Sequence, residues 1–269
     1  MAKGQQQLRQ QRQPQRPIIT LTSDFGLSDA YVASMKAVLI RECPSARLID
    51  VTHNVPRHDI LCGSITLERA VDGFPRGTVH LAVIDPGVGT DRRMIVAQVK
   101  DQYIVCPDNG LITWAFRVHA RAAATNVSEI TWRPKSSSNT FHGRDVMAPI
   151  AGRIADGQSL KLLTRPIDDP VLLDLEPASF GEPRGRIIHI DHFGNATTNI
   201  RHDALRDMPP VTVKIKRRKI GRLRRTYWDV PPGRPLALIG SSGLLEIAVR
   251  DGSARDDLKV RVGDEVVLQ

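Results

Sequence analysis

Val79-His80-Leu81-Ala82-Val83-Ile84, continuing directly into Asp85-Pro86-Gly87-Val88-Gly89-Thr90-Asp91-Arg92-Arg93, is the stretch on which the reading of this chain turns. Its first half is an apolar run of strand length and reads as a strand buried on both faces. Its second half opens with an acid and enters a Gly-rich turn. In open α/β sheets, the carboxyl end of such a strand is where ligand chemistry is placed. A second segment, Thr140-Phe141-His142-Gly143-Arg144-Asp145, sets a histidine beside an aromatic residue just ahead of another apolar stretch. A fold that unites Asp85, Arg92 and His142 would bring together a carboxylate, a fixed cation and a titratable imidazole. Those are the groups needed to hold and polarise a water molecule.

Outward from this core, strand and helix patterns alternate. Residues 18–22 form a β-branched run ending at Ser23-Asp24-Phe25-Gly26. Residues 29–40 follow with a helical pattern, in which Val32, Met35 and Leu39 share a face and Ser28 is the expected N-cap. Residues 47–51 and 79–84 read as strands, and 59–71 as a helix with Ile60, Ser64 and Leu67 on one side. Residues 94–99 and 102–105 read as a hairpin, and 110–118 and 146–155 as helices. This alternation implies an N-terminal α/β domain over residues 18–165 with a largely parallel sheet. Pro166, Pro170, Pro177 and Pro183 then punctuate a linker over 166–184. Short β-rich runs at 186–190, 211–216, 236–239, 245–249 and 265–268 imply an all-β C-terminal domain over 185–269, a barrel or compact sandwich.

The 269 residues are 41% hydrophobic, enough for a substantial core without disulfides. The net charge of +9 admits an anionic partner. Its densest run lies between Lys214 and Arg225, with Tyr227 and Trp228 following. No nucleic-acid-binding motif accompanies the charge, so a solvated basic hairpin is preferred and nucleic acid is disfavoured as a partner. Three cysteines, Cys43, Cys62 and Cys106, show no CxxC spacing. They point away from a zinc site or disulfide framework and suit a reducing cytoplasm. No run approaches the ~18 apolar residues of a membrane span. Residues 1–17, rich in Gln and Arg and without an acid, read as a disordered basic tail and lack a signal-peptide core.

Several further segments carry polar groups at strand ends. The letters Asp24-Phe25-Gly26 do not mark a kinase, because no Gly-rich loop or matching catalytic loop surrounds them. Asp24 either accepts hydrogen bonds from ligand hydroxyls or caps the next helix. Asp59 has the same two readings, while His53 reads as a structural histidine and His58 as a weaker ligand contact. Asn109, in Pro107-Asp108-Asn109-Gly110, reads first as turn chemistry. In the segment Asp191-His192-Phe193-Gly194-Asn195, the ring can stack on a purine and the acid can hold an ammonium group; the bland reading is a polar loop. Ser241 and Ser242, in Gly240-Ser241-Ser242-Gly243, sit either in a plain turn or in a carboxylate site.

Taken in chain order, these motifs resemble those of the S-adenosyl-L-methionine (SAM) hydroxide adenosyltransferases, which share a fold with the bacterial fluorinase and chlorinase. The resemblance covers residues 18–269. It implies an α/β domain followed by a β-barrel, and a homotrimer with the active site between one subunit's N-terminal domain and a neighbour's C-terminal domain. It also implies cleavage of SAM by water to adenosine and L-methionine, without metal or cofactor. Asp85, Arg92 and His142 map onto the catalytic triad. Asp85 and His142 would orient the water and accept its proton, and Arg92 would hold Asp85. Asp24 would hold the ribose hydroxyls, Phe141 would line the pocket near the reacting carbon, and Asp191 would take the methionine ammonium. Phe193 and Asn195 would contact the adenine region, and Ser241 and Ser242 would face the methionine carboxylate. Asp59 and Asn109 lie in the same motifs and count as substrate-binding positions. The halogenating relatives carry Tyr, Tyr and Ser where this chain has Asp85, His142 and Gly143, and a carboxylate would repel a halide nucleophile. The competing readings are a protein that holds SAM or adenosine without turnover, and a nucleic-acid-binding protein using residues 214–225.

Overall fold

The computed structural model describes residues 16–119, 126–178, 181–205 and 211–269; most of the expected basic tail, residues 1–15, lies outside the described residues. The first region contains β1 (Ile18–Ser23), α1 (Tyr31–Glu42), β2 (Arg47–Thr52), α2 (Ile60–Gly73) and β3 (Val79–Val83). Then come the hairpin β4 (Met94–Val99) and β5 (Gln102–Pro107), α3 (Thr113–His119) and β6 (Asn126–Ile130). A π-helical turn at Gly143–Met147 leads into α4 (Ala148–Ala155), followed by β7 (Thr164–Ile167). The seven strands form one sheet in the order β2-β1-β3-β5-β4-β6-β7. β2, β1, β3 and β5 run parallel, as the alternation implies. β4, β6 and β7 add antiparallel partners. The reversal is local: Lys100 and Asp101 both take positive φ, 51° and 59°, in a two-residue turn too short for a crossover helix.

β3 is buried along its whole length. On one face Met35 and Leu39 of α1 and Ile150 of α4 pack against Ile19, Leu81 and Val83. On the other, Leu67 and Val71 of α2 pack with Ala82, Ile84 and Ile104. Ser28 does not cap α1. Ala30 occupies the cap without a side-chain bond, and the Ser28 hydroxyl is turned to Asp29 at 3.4 Å. Gly26, at φ +68°, turns the chain early, so that residues 27–30 form a turn and the helix starts later than its apolar pattern suggests.

The second region contains β8 (Arg184–Ile190), β9 (Ala196–Arg201), β10 (Thr212–Ile215), β11 (Arg218–Arg224), β12 (Pro235–Ile239), β13 (Leu244–Val249), α5 (Ala254–Asp257) and β14 (Glu265–Leu268). The strands close in the order β10-β11-β12-β13-β9-β8-β14, a barrel rather than a sandwich. The Pro-punctuated segment between the regions is strapped to the sheet. Asp108 accepts from Val171 N at 2.8 Å, Thr113 Oγ1 accepts from Leu173 N at 2.9 Å, and Arg93 pairs with Asp169 at 2.7 Å.

Candidate active site

β1 and β3 are neighbouring parallel strands, so Asp24 and Asp85, just beyond their ends, reach the same edge of the sheet. Asn109, just beyond β5, donates its side-chain amide to the Ile84 carbonyl at 2.9 Å and fixes the strand end from which Asp85 projects. The turn that follows is closed by Thr90 N donating to Gly87 O at 3.2 Å and the Thr90 hydroxyl donating to the same oxygen at 2.7 Å. Gly89 takes φ +84°, and a Cβ there would lie 2.9 Å from the Asn139 carbonyl oxygen. Glycine therefore lets this loop lie against the one that carries His142.

Arg92 folds back onto Asp85. Its Nε donates to Oδ1 at 2.6 Å and its Nη2 to Oδ2, a two-pronged ion pair. Nη2 also donates to His142 Nδ1 at 3.1 Å. A guanidinium has no acceptor, so Nδ1 is the accepting nitrogen and Nε2 carries the imidazole proton. Burial, aided by the Arg92 charge and opposed by Asp85, holds the His142 pKa below its ordinary value, so the ring is neutral at neutral pH. Arg92 Nη1 is buried and has no acceptor among the described residues. The cluster thus holds an anchored carboxylate and two N–H groups, His142 Nε2–H and the buried Arg92 Nη1–H, that find no acceptor among the described residues.

His142 precedes the π-helical turn, a feature often found at functional sites. That turn seats closely on the sheet: a Cβ on Gly143 would lie 3.1 Å from Val83 Cγ1. Phe141 meets Tyr31 and Phe25 edge-on, at centroid distances of 5.3 and 5.8 Å, and carries the Arg144 guanidinium at 4.9 Å. Asp24 accepts from His58 N at 2.9 Å, where His58 takes φ 64°. Asp59 accepts from Cys62 N at 2.9 Å and caps α2. His53 is buried between the Ser23 hydroxyl at 2.7 Å and Asp50 at 3.1 Å.

The remaining candidates lie on the barrel. Asp191 accepts from both nitrogens of Asn195. These two residues and Phe193 line a cavity of about 900 Å³ with Tyr227, Trp228, Ser241 and Glu246. Sequence reading does not single out Trp228, Glu246 or Arg250 for the site. The aromatic pair follows a basic run whose charge dominates the local pattern, and Glu246 is hidden in the apolar strand β13. In the structure, Arg250 stacks on Trp228 at 3.8 Å from the ring centre. Tyr227 donates its hydroxyl to Glu246 at 2.6 Å. Burial pushes both of their pKa values up. Ser242 faces an adjoining cavity of about 300 Å³ that shares Asp191, Ser241 and Glu246. Asp85, Arg92 and His142 line neither cavity, so a single chain keeps the two clusters apart.

The basic run forms the exposed β10–β11 hairpin, part of whose charge is answered by Asp264, 2.9 Å from Lys216. Among the described residues no group of three or more His, Cys, Asp or Glu side chains is placed to hold a metal ion, and no helix is long and apolar enough to cross a membrane.

Residues 19–164 match the SAM hydroxide adenosyltransferase N-terminal domain, and residues 185–267 match the C-terminal domain of the same family. A Thermus thermophilus protein named (R)-S-adenosyl-L-methionine hydrolase is 40% identical over 260 residues, covering 94% of this chain and 99% of that protein. A fluorinase from Actinoplanes sp. is 29% identical over 218 residues, 70% of this chain and 73% of the fluorinase. The crystal structure of an uncharacterized conserved protein from Thermotoga maritima superposes with a TM-score of 0.85 at 36% identity, covering 94% of this chain and 100% of that one. With both domains matched in order, and a relative this similar along nearly its whole length, the chain belongs to the SAM hydroxide adenosyltransferase family.

Proposed function

We propose that this protein hydrolyses S-adenosyl-L-methionine to adenosine and L-methionine, and that the (R) sulfonium epimer in the name of its Thermus relative is the form it takes. The observation that carries the reading is the Asp85–Arg92 ion pair with a neutral His142 set against it. Water attacks the 5′ carbon in line with the sulfonium. The new C–O bond forms as the C–S bond breaks, and its electron pair neutralises sulfur in departing methionine. Positioning of the two reactants can supply roughly 7–11 kcal/mol. The tautomer set by Arg92 makes His142 Nε2–H a donor to one lone pair of the water oxygen, which leaves the other lone pair free to attack carbon. The water proton then passes to Asp85, whose oxygens retain a free lone pair each. Because free water has a pKa of about 15.7, proton loss accompanies or follows attack rather than preceding it. Neither metal nor cofactor enters this scheme.

Asp24 is assigned to the ribose hydroxyls, and Phe193, Asn195, Tyr227 and Trp228 to the nucleoside end. Separation of the two clusters within one chain supports a homotrimer in which a neighbour's barrel cavity meets the triad. Exposed Leu27 and Tyr31 near the triad, and exposed Phe193 and Trp228 at the barrel, are unlike apolar faces suited to a head-to-tail ring. The free thiols suit a reducing cytoplasm.

The test is incubation with SAM in 18O-labelled water, followed by mass spectrometry. Adenosine labelled at the 5′ oxygen, together with free methionine, is expected at equal rates with and without chelator. Folded protein that binds SAM and leaves it intact would replace this reading with a binding role.

A further inference from the structure

The smaller cavity, between α2 and the barrel, holds a cation that the chain itself leaves unused. Its walls include Glu68, Arg69 and Asp72 of α2, facing Ser241, Ser242, Asp191 and Glu246. The two α2 acids have partners: Glu68 faces His119 at 3.2 Å and Asp72 binds Lys100 at 2.8 Å. Arg69 is exposed on the same helix and enters no hydrogen bond or ion pair among the described residues. Across the cavity, one oxygen of Glu246 takes the Tyr227 hydroxyl, while the other lies against Gly240. A guanidinium on one wall, with two hydroxyls and two carboxylates on the facing one, forms a receptor for a zwitterion. At about 300 Å³ the cavity suits an amino-acid tail, and it shares Asp191, Ser241 and Glu246 with the larger aromatic cavity suited to a nucleoside, so one ligand can enter both.

We propose that Arg69 binds the α-carboxylate of the substrate's methionine portion, flanked by Ser241 and Ser242, while Asp191 and Glu246 share its α-ammonium. The proposal rests on SAM being the substrate. Two serine hydroxyls are neutral donors, and with them alone a bound carboxylate would stand uncompensated among the four that line the cavity. Arg69 supplies the opposite charge and a forked donor geometry that matches a carboxylate. Its charge already reaches this group: the Glu246 pKa, raised by burial and by Asp191, is held back by Tyr227 and by Arg69.

The experiment compares wild type, Arg69→Ala and Arg69→Lys, by calorimetric binding and by steady-state kinetics, with SAM and with decarboxylated SAM as ligands. Arg69 is exposed and Ala is a strong helix former, so the variant keeps the fold, as melting curves would show. Arg69→Ala should weaken SAM binding about tenfold or more, the loss of a charged hydrogen bond. Its kcat should stay within about threefold, Lys should restore part of the affinity, and decarboxylated SAM should bind both proteins alike. Unchanged SAM affinity, or equal weakening for both ligands, would overturn the assignment. Wild type that binds SAM without hydrolysing it would sink the hydrolase reading while leaving the binding comparison decisive. Wild type that binds neither ligand would sink both.

Discussion

At the sheet edge, the Arg92 and Asp85 side chains are 10% and 6% exposed and hold one another in a two-pronged ion pair, with His142 fixed by the same guanidinium. At the barrel mouth, Phe193 and Trp228 are 74% and 76% exposed, and the ring of Phe193 meets that of its neighbour His192 at 5.7 Å between centroids. The difference fits the roles proposed for each. Charges that stabilise a reaction act best when already oriented, and orienting them takes ion pairs formed within the chain. Flat apolar rings proposed to take up a base would have to stay uncovered until the ligand arrives, and exposed aromatic surface of this kind fits that role.

The sharpest way to break this contrast is Asp85→Asn, which keeps the shape and removes the charge. If the sheet edge serves chemistry alone, kcat falls about a thousandfold while KM stays within about threefold. Steady-state rates with (R)-SAM would show it. A KM that rises as much as kcat falls would move Asp85 into substrate binding and erase the division of labour. Phe193→Ala probes the other side and should do the reverse. Losing one stacking partner should weaken nucleoside binding by about 1–3 kcal/mol, so KM rises roughly five- to 150-fold with kcat little changed. A fall in kcat at constant KM would place that ring on the reacting carbon. Gel filtration of the same variant reports whether the ring also seals a subunit contact.

The sheet edge is the more legible of the two regions in sequence. β1 to β5 follow from apolar runs of strand length, and the triad from a strand end, a Gly turn and one aromatic-histidine pair. β7 escapes because Pro166 marks a linker in sequence, yet it is tolerated on the edge strand of the sheet. β9 goes unread because Ala196-Thr197-Thr198-Asn199 is not an apolar run, yet Thr198 and Asn199 are buried with partners: Thr198 donates to Leu245 O at 2.9 Å, and Asn199 donates to Glu176 O at 2.8 Å and accepts from Arg186 N at 2.7 Å. β11 is masked by its own charge, since only Ile220 and Leu223 turn toward the core. Asp59 and Asn109 show the limit of motif reading. Both lie where ligand contacts are expected, and in this structure their side chains secure a helix start and a strand end. Arg69 gives no local signal at all, because its setting depends on a barrel that begins more than a hundred residues later in the chain.

The rigidity of the sheet side carries a smaller, pH-dependent signature. His80, buried near the start of β3, the strand that leads to Asp85, accepts from the Thr20 hydroxyl and donates to the Gln102 side-chain carbonyl, each at 2.7 Å, and the Gln102 amide is anchored on Val71 O at 2.7 Å. Burial is the main cause that lowers its pKa from 6.5 to about 4. The unfolded chain therefore binds the extra proton first, and the stability from a neutral His80 is present above pH 6.5 and lost as pH falls towards 4. Between about pH 7 and pH 5.5 the loss from this residue should be about 1 kcal/mol. Urea denaturation at fixed protein concentration, on wild type and His80→Gln at both pH values, isolates it. The variant is less stable throughout, because a matched polar chain is broken, but it should lose about 1 kcal/mol less than wild type on acidification. Equal losses in the two proteins would mean that His80 takes up its proton in the folded state at an ordinary pH. The sheet beneath the triad would then open far more readily than its packing implies, and the contrast between a fixed catalytic edge and an open barrel mouth would lose its physical basis.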